Sequence, residues 1–183
     1  LIFNHSYFVL NSFFKKMPSK KPIVQRKKLK SVITKAVNNL IFTLDIKTTK
    51  TAPQRGMLLN RFEEPDSQIK EINVSDVTYY DREEIVPYSR AELKQMPGYT
   101  EPTMTFMNVW RNMDTNEITG TTSMTFNKEG GFSCWDVVQN ILAFEKLDRP
   151  KSRWFGGVDC HHIFYEGICF NDDKTTLAIR WGS

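Results

Sequence analysis

Two of the three histidines and two of the three cysteines of this 183-residue chain fall in the segment RPKSRWFGGVDCHHIFYEGICF, residues 149–170. Residues of these types can do several kinds of chemistry. Arg149, Lys151 and Arg153 precede Gly156 and Gly157. Arginines give bidentate donors and glycines let backbone N–H groups approach an anion, so these five form a candidate anion site. No GxxxxGK[ST] or GxGxxG pattern accompanies them. The competing reading is a solvated basic turn whose cations sit well at a helix C-terminus.

A few residues on, His162 and Glu166 share one face of an extended segment, two pleats and roughly 7 Å apart. A carboxylate among apolar side chains must be paired or protonated, and a nearby histidine would serve. His162 and Glu166 are therefore candidate catalytic residues for proton transfer, against a structural hydrogen bond or a solvent-facing sheet end. Cys160, His161, His162 and Cys169 are ligand types, but no CxxC pair exists and adjacent strand residues diverge, so no metal site is expected. Cys160 as a nucleophile is weaker still, because no thiol-protease signature surrounds it. No cofactor motif is present, and none is expected.

Elements must hold these residues in place. Residues 162–170 and 175–181 read as a hairpin around Asn171-Asp172-Asp173-Lys174. Pairing Phe170 with Thr175 sets Glu166 opposite Ile179, Phe164 opposite Trp181 and Ile168 opposite Leu177. Before it, Ser133 and Asp136 open a helix that Pro150 stops, with an apolar stripe of Trp135, Val138, Ile141, Leu142 and Leu147. A second hairpin spans 103–126. Pairing Met113 with Ile118 puts Thr105, Met107, Val109, Met124 and Phe126 on the core side. Its other face carries Met104, Phe106, Asn108 and Trp110 beside Thr119, Thr121, Ser123 and Thr125. That face could stack a ligand, although a second packed face is the favoured reading. Ser89 to Glu92 reads as a capping box for a short helix ended by Pro97-Gly98. Residues 69–80 lean to strand, with Ile72, Val74 and Tyr80 on one face. Leu29, Val32, Ile33, Ala36, Val37, Leu40 and Ile41 give a helical stripe, with a short strand following to residue 48. The order predicts an α+β fold, a mainly antiparallel sheet built from hairpins with two or three helices packed on it.

Charge is unevenly shared. Residues 15–55 hold 12 Lys/Arg and one acid, Asp45, whereas residues 56–183 hold 13 Lys/Arg and 20 acids. The near-neutral total of +4 hides a basic arm on a mildly acidic body. Lys20, Lys21, Arg26, Lys27, Lys28 and Lys30 are the arm's candidate contacts to nucleic acid. Their binding would be salt-sensitive and without sequence readout, and no interleaved aromatics point to base stacking. Residues 1–28 are read as a leader and mobile arm and 29–183 as a single domain. The stretch before Met17 carries its lysines after the apolar run, unlike a signal peptide, and Met17 is read as the start. At 40% hydrophobic the chain is too apolar for wholesale disorder, so a folded body is expected. Three cysteines without regular spacing suggest reduced thiols inside a cell, and no apolar run approaches the ~20 residues of a membrane helix.

Residues 135–167, WDVVQNILAFEKLDRPKSRWFGGVDCHHIFYEG, resemble uncharacterised proteins encoded by large DNA viruses of algae and protists. The resemblance implies a viral or protist context and no particular activity. The expectation is a small intracellular, non-catalytic protein whose arm binds nucleic acid or another acidic surface. The alternatives are an enzyme acting on a small phosphorylated substrate through residues 149–166, and a structural virion subunit.

Overall fold

The computed structural model describes residues 32–49, 67–81, 84–112, 115–154 and 157–183. The chain divides into Leu1–Lys30 and Ser31–Ser183, and every described residue belongs to the second unit. Lys20, Lys21, Arg26, Lys27, Lys28, Lys30 and Gly156 lie outside the described residues.

The described chain is α+β. In order it forms α1 (Lys35–Asn38), β1 (Leu40–Ile41), β2 (Leu44–Thr48), β3 (Ile69–Val74), β4 (Thr78–Asp81), β5 (Glu84–Pro87) and α2 (Arg90–Gln95). Then follow β6 (Pro97–Tyr99), β7 (Thr103–Arg111), β8 (Ile118–Asn127), β9 (Phe132–Ser133), α3 (Cys134–Asp148) and a 3-10 turn (Arg149–Lys151). The last elements are β10 (Arg153–Trp154), β11 (Gly157–Val158), β12 (Phe164–Phe170) and β13 (Leu177–Gly182).

The largest sheet runs β12-β13-β7-β8. Its two hairpins are antiparallel, while β13 and β7 run parallel and pair at a single point, Leu177 with Phe106. Beyond that point no further pair joins them among the described residues, and a cavity lined by both strands lies in the fork between them. α3 lies over this sheet. Val137, Val138, Ile141 and Phe144 on the helix are buried in one core with Met104, Phe106, Ile168 and Leu177 on the strands. Each such side chain removed from water contributes about 1.5–3 kcal/mol. Ser133 caps α3 in a full capping box with Asp136, whose carboxylate also meets Lys128. Ser89 and Glu92 do the same for α2. Both boxes are read correctly from sequence, since the chemistry is complete within four residues.

Four expectations need correction. Of the stripe at 29–41, the described part from residue 32 holds one helical turn, because Ile33 bridges to Tyr99, Thr34 caps the turn, and Leu40 pairs with Tyr79 in a sheet. The β7–β8 hairpin buries the opposite face of β7. Met104 and Phe106 are fully buried under α3, and the register, Met104 with Phe126 and Phe106 with Met124, aligns them with the inward residues of β8. In the last hairpin Phe170 pairs with Leu177, not Thr175, and a bulge between Tyr165 and Gly167 shifts the register near Glu166. Tyr165 and Ile168 therefore point into the core and Glu166 is exposed. Finally, the buried stripe of α3 is Val137, Val138, Ile141, Phe144, Glu145 and Asp148, whereas Leu147 is exposed.

Candidate functional site

The fork between β7 and β13 is floored by the sheet and roofed by the C-terminal end of α3. It holds a cavity of about 140 Å³. From β7 come Asn108 and Trp110, from β13 Trp181, from α3 Glu145 and Asp148, and from the following turn Arg149 and Ser152. Asp159 and His162 close one end, on the loop between β11 and β12.

The helix places its charges inward because they continue the stripe of Val138 and Ile141. Glu145, Asp148 and Arg149 are each only 3–4% exposed. Burying charge is costly unless it is hydrogen-bonded or paired. Glu145 Oε2 accepts from Arg149 Nε at 2.7 Å, and its Oε1 accepts from Trp181 Nε1 at 2.9 Å. Arg149 also approaches Asp159 at 3.6 Å and lies 5.5 Å over the Trp181 ring. Asp148 is served from the sheet, where Asn108 Nδ2 and Trp110 Nε1 each donate to it at 2.9 Å.

Asp159 receives three N–H groups besides the approach of Arg149. The backbone amides of His161 and His162 donate to Oδ1 at 2.9 and 3.2 Å, and His162 Nδ1 lies 2.8 Å from Oδ2. A carboxylate partner assigns the proton to Nδ1 and leaves Nε2 as the basic nitrogen. Burial opposes ionisation of Asp159, but the His161 amide, the His162 ring and amide and Arg149 together hold its carboxyl below the ordinary range. Glu145 is shifted the other way. Burial raises it, Arg149 and Trp181 offset part of that, and the charge of Asp148 adds to the rise. The cavity thus carries one carboxyl pushed up and one pushed down, joined through a single guanidinium.

The residues singled out from sequence are distributed as follows. His162 lines the cavity, but the carboxylate against its ring is that of Asp159. Glu166 is exposed at the bulge of β12. Of Arg149, Lys151, Arg153 and Gly157, Arg149 alone lines the cavity. Lys151 Nζ donates to Thr122 Oγ1 at 3.0 Å, and Arg153 Nη1 donates to the carbonyls of Pro150 and Ser152. Gly157 is buried in β11. The anion residues do not converge. Asn108 and Trp110 belong to the hairpin face named from sequence as able to stack a ligand, whereas Glu145, Asp148, Asp159 and Trp181 were not singled out as site residues. Glu145 and Asp148 did carry a signal, since each lies three or four residues beyond an apolar position of the helix stripe. Among the described residues no three His, Cys, Asp or Glu side chains gather as a metal ion requires, and no helix is long and apolar enough to cross a membrane. No family model, no curated protein and no solved structure matches the chain.

Proposed function

We propose that the folded unit binds a small polar molecule in the fork between β7 and β13 and acts on it by proton transfer, with His162 as acid and base and Asp159 as the group that orients it. The observation that carries this reading is the 2.8 Å contact between His162 Nδ1 and Asp159 at the mouth of a cavity lined by buried charge. A fold seeking only stability gains nothing from charges there, since well-packed apolar residues of similar volume are often as stable or more so. Opposed carboxyl shifts in one cleft are a mark of acid–base sites. The charge balance of the lining is negative, with three carboxylates against Arg149 and a partly exposed histidine. A multiply charged phosphate is therefore a poorer fit than a molecule that brings N–H donors.

The test is NMR of the ¹⁵N-labelled chain against a library of small polar metabolites. Long-range imidazole spectra should report the Nδ1–H tautomer of His162, and binders should move its ring signals. Asp159→Asn should abolish the preference for that tautomer. If no compound moves any cleft signal in the folded protein, the reading is lost.

A second reading rests on charge distribution. The 12 Lys/Arg and one acid between residues 15 and 55 suit a tether to nucleic acid or another polyanion. Binding to duplex and single-stranded DNA across a salt series, with and without residues 17–28, tests it. Unchanged affinity after the deletion, or no salt dependence, removes it.

A further inference from the structure

We infer that the cavity is built for a small zwitterion, an ammonium and a carboxylate on a short carbon frame. The inference rests on the reading that the fork between β7 and β13 is a ligand site. Asp148 is buried, and among the described residues its oxygens accept from neutral donors alone, Asn108 and Trp110. Those two bonds leave lone pairs of an ionised carboxylate unused. The next residue, Arg149, is also buried and donates to Glu145 through Nε. Neither of its terminal amino groups makes a hydrogen bond among the described residues, and the nearest carboxylate oxygen, on Asp159, stands off at 3.6 Å. The hydroxyl of Ser152, a residue 4% exposed that lines the same cavity, also makes no hydrogen bond among the described residues. Among the described residues the hydroxyl of Tyr165 is the one fully enclosed side-chain polar atom without a partner, so the open groups of Arg149 and Ser152 are reached from the cavity, where a ligand can complete them.

The two unlike charges are neighbours in sequence yet do not quench one another. Successive residues at a helix end point in different directions. Glu145 draws Arg149 along the helix, while the indole of Trp110 and the amide of Asn108 draw Asp148 to the sheet. The carboxylate of Asp148 and the terminal amino groups of Arg149, whose charge Glu145 and Asp159 offset, therefore face one space as an acceptor and a set of donors. A ligand carrying only a carboxylate would leave Asp148 without a counter-charge. One carrying only an ammonium would leave Arg149 and Ser152 open. A cavity of about 140 Å³ is close to the engineered 150 Å³ void that takes benzene, so the ligand has on the order of six to nine non-hydrogen atoms. The indole of Trp110 beside the Asp148 carboxylate suits an ammonium, whereas the Trp181 ring already carries the Arg149 guanidinium.

The test is calorimetry and NMR titration of the full chain with a panel of short amino acids, each beside its decarboxylated amine and its deaminated acid. Zwitterions should bind at millimolar concentration or better, and each singly charged counterpart should bind about tenfold weaker or less, the worth of one lost charged hydrogen bond. Asp148→Asn should abolish the advantage of the zwitterion over the acid, and Ser152→Ala should weaken zwitterion and acid alike while leaving the amine unchanged. If no zwitterion binds, or if the singly charged compounds bind as well, the inference fails. In that case a library compound that still moves the His162 signals preserves the cleft as a ligand site, whereas silence from every compound removes both.

Discussion

Trp181 Nε1 donates to Glu145 Oε1 at 2.9 Å, a bond that ties the last strand of the chain to the buried face of α3 across 36 residues. The same indole lies under Arg149, which holds the other oxygen of that carboxylate. Trp181→Phe removes the donor and leaves a buried carboxylate oxygen unmet, so urea unfolding should show a loss of about 1–3 kcal/mol. A change below a few tenths of that would mean that water replaces the indole N–H.

Among the described residues Arg149 is the one Lys or Arg lining the cleft beside three buried carboxyl groups, and it should be the most sensitive position there. Arg149→Met strands Glu145 and Asp159 and is expected to destabilise by about 3–5 kcal/mol. Adding Glu145→Gln in the same chain removes one of the stranded charges and should restore part of the loss. A double-mutant cycle in equilibrium unfolding checks this, and strict additivity of the two substitutions would contradict the pairing.

Acid sensitivity follows from Asp159. Its carboxyl is lowered in the folded chain, so the native state holds its proton less tightly than the unfolded chain does. The stability this gives is fully present above the ordinary carboxylate value of about 3.9 and is lost as pH falls through the lowered folded value. Asp159→Asn should start less stable at neutral pH and lose less on going to acid. Glu145 acts with the opposite sign, because its raised carboxyl favours the protonated native form as pH falls. Glu145→Gln should therefore make the acid loss steeper. Unfolding curves taken at several pH values compare the two slopes, and parallel wild-type and Asp159→Asn profiles would refute the assignment.

Much of the local architecture was legible in the sequence, and the site was not, for physical reasons that individual residues make plain. The caps at Ser89 and Ser133 need partners only three residues away. The inward face of β7 could not be chosen by pattern, because Met107 and Val109 on one side are as apolar as Met104 and Phe106 on the other. What settled it was the pairing with β8 and the presence of α3. The bulge at Glu166 depends on Gly167 at φ 112°, where its backbone passes Asn38, a contact made across more than a hundred residues. Glu145 and Asp148 continue the inward stripe of α3 in position but not in polarity. They are buried because Arg149 reaches Glu145 from the next helical turn, and Trp181, Asn108 and Trp110 reach the two carboxyls from strands 36 to 40 residues away. His162 was found as a residue type and matched to the wrong acid, since its partner Asp159 lies back along the loop and not forward along the strand.

Thiol reactivity should separate the cysteines. Cys134 is fully buried at the start of α3, and burial pushes its thiol up to about 11. Cys160 and Cys169 are partly exposed. The thiolate is the reactive species, so native protein in mild base should be alkylated at Cys160 and Cys169 well before Cys134. Mass spectrometry of partly labelled protein reads the order, and Cys134 should label together with loss of structure in denaturant. Early labelling of Cys134 in the native protein would show that the N-terminal turn of α3 opens locally.

The turn that launches α3 gives the last expectation. Gly130 and Gly131 both have positive φ, at 78° and 86°. A side chain at either position meets the left-handed penalty, about 1–2 kcal/mol. The two differ in their surroundings. A Cβ on Gly130 would meet nothing within 4 Å, whereas one on Gly131 would lie 2.6 Å from the carbonyl oxygen of Tyr99, against backbone that cannot step aside. Gly131→Ala should therefore cost clearly more than Gly130→Ala in chemical denaturation. It should also reach the cleft, because this turn leads through β9 to the Ser133 cap, and α3 carries Glu145 and Asp148 at its other end. Chemical shifts of the Trp110 and Trp181 indole N–H groups report on those two carboxylates. They are expected to move in Gly131→Ala and to stay in place in Gly130→Ala. Equal stability losses, or indole signals indifferent to both substitutions, would mean that the backbone approach at Tyr99 does not position the helix.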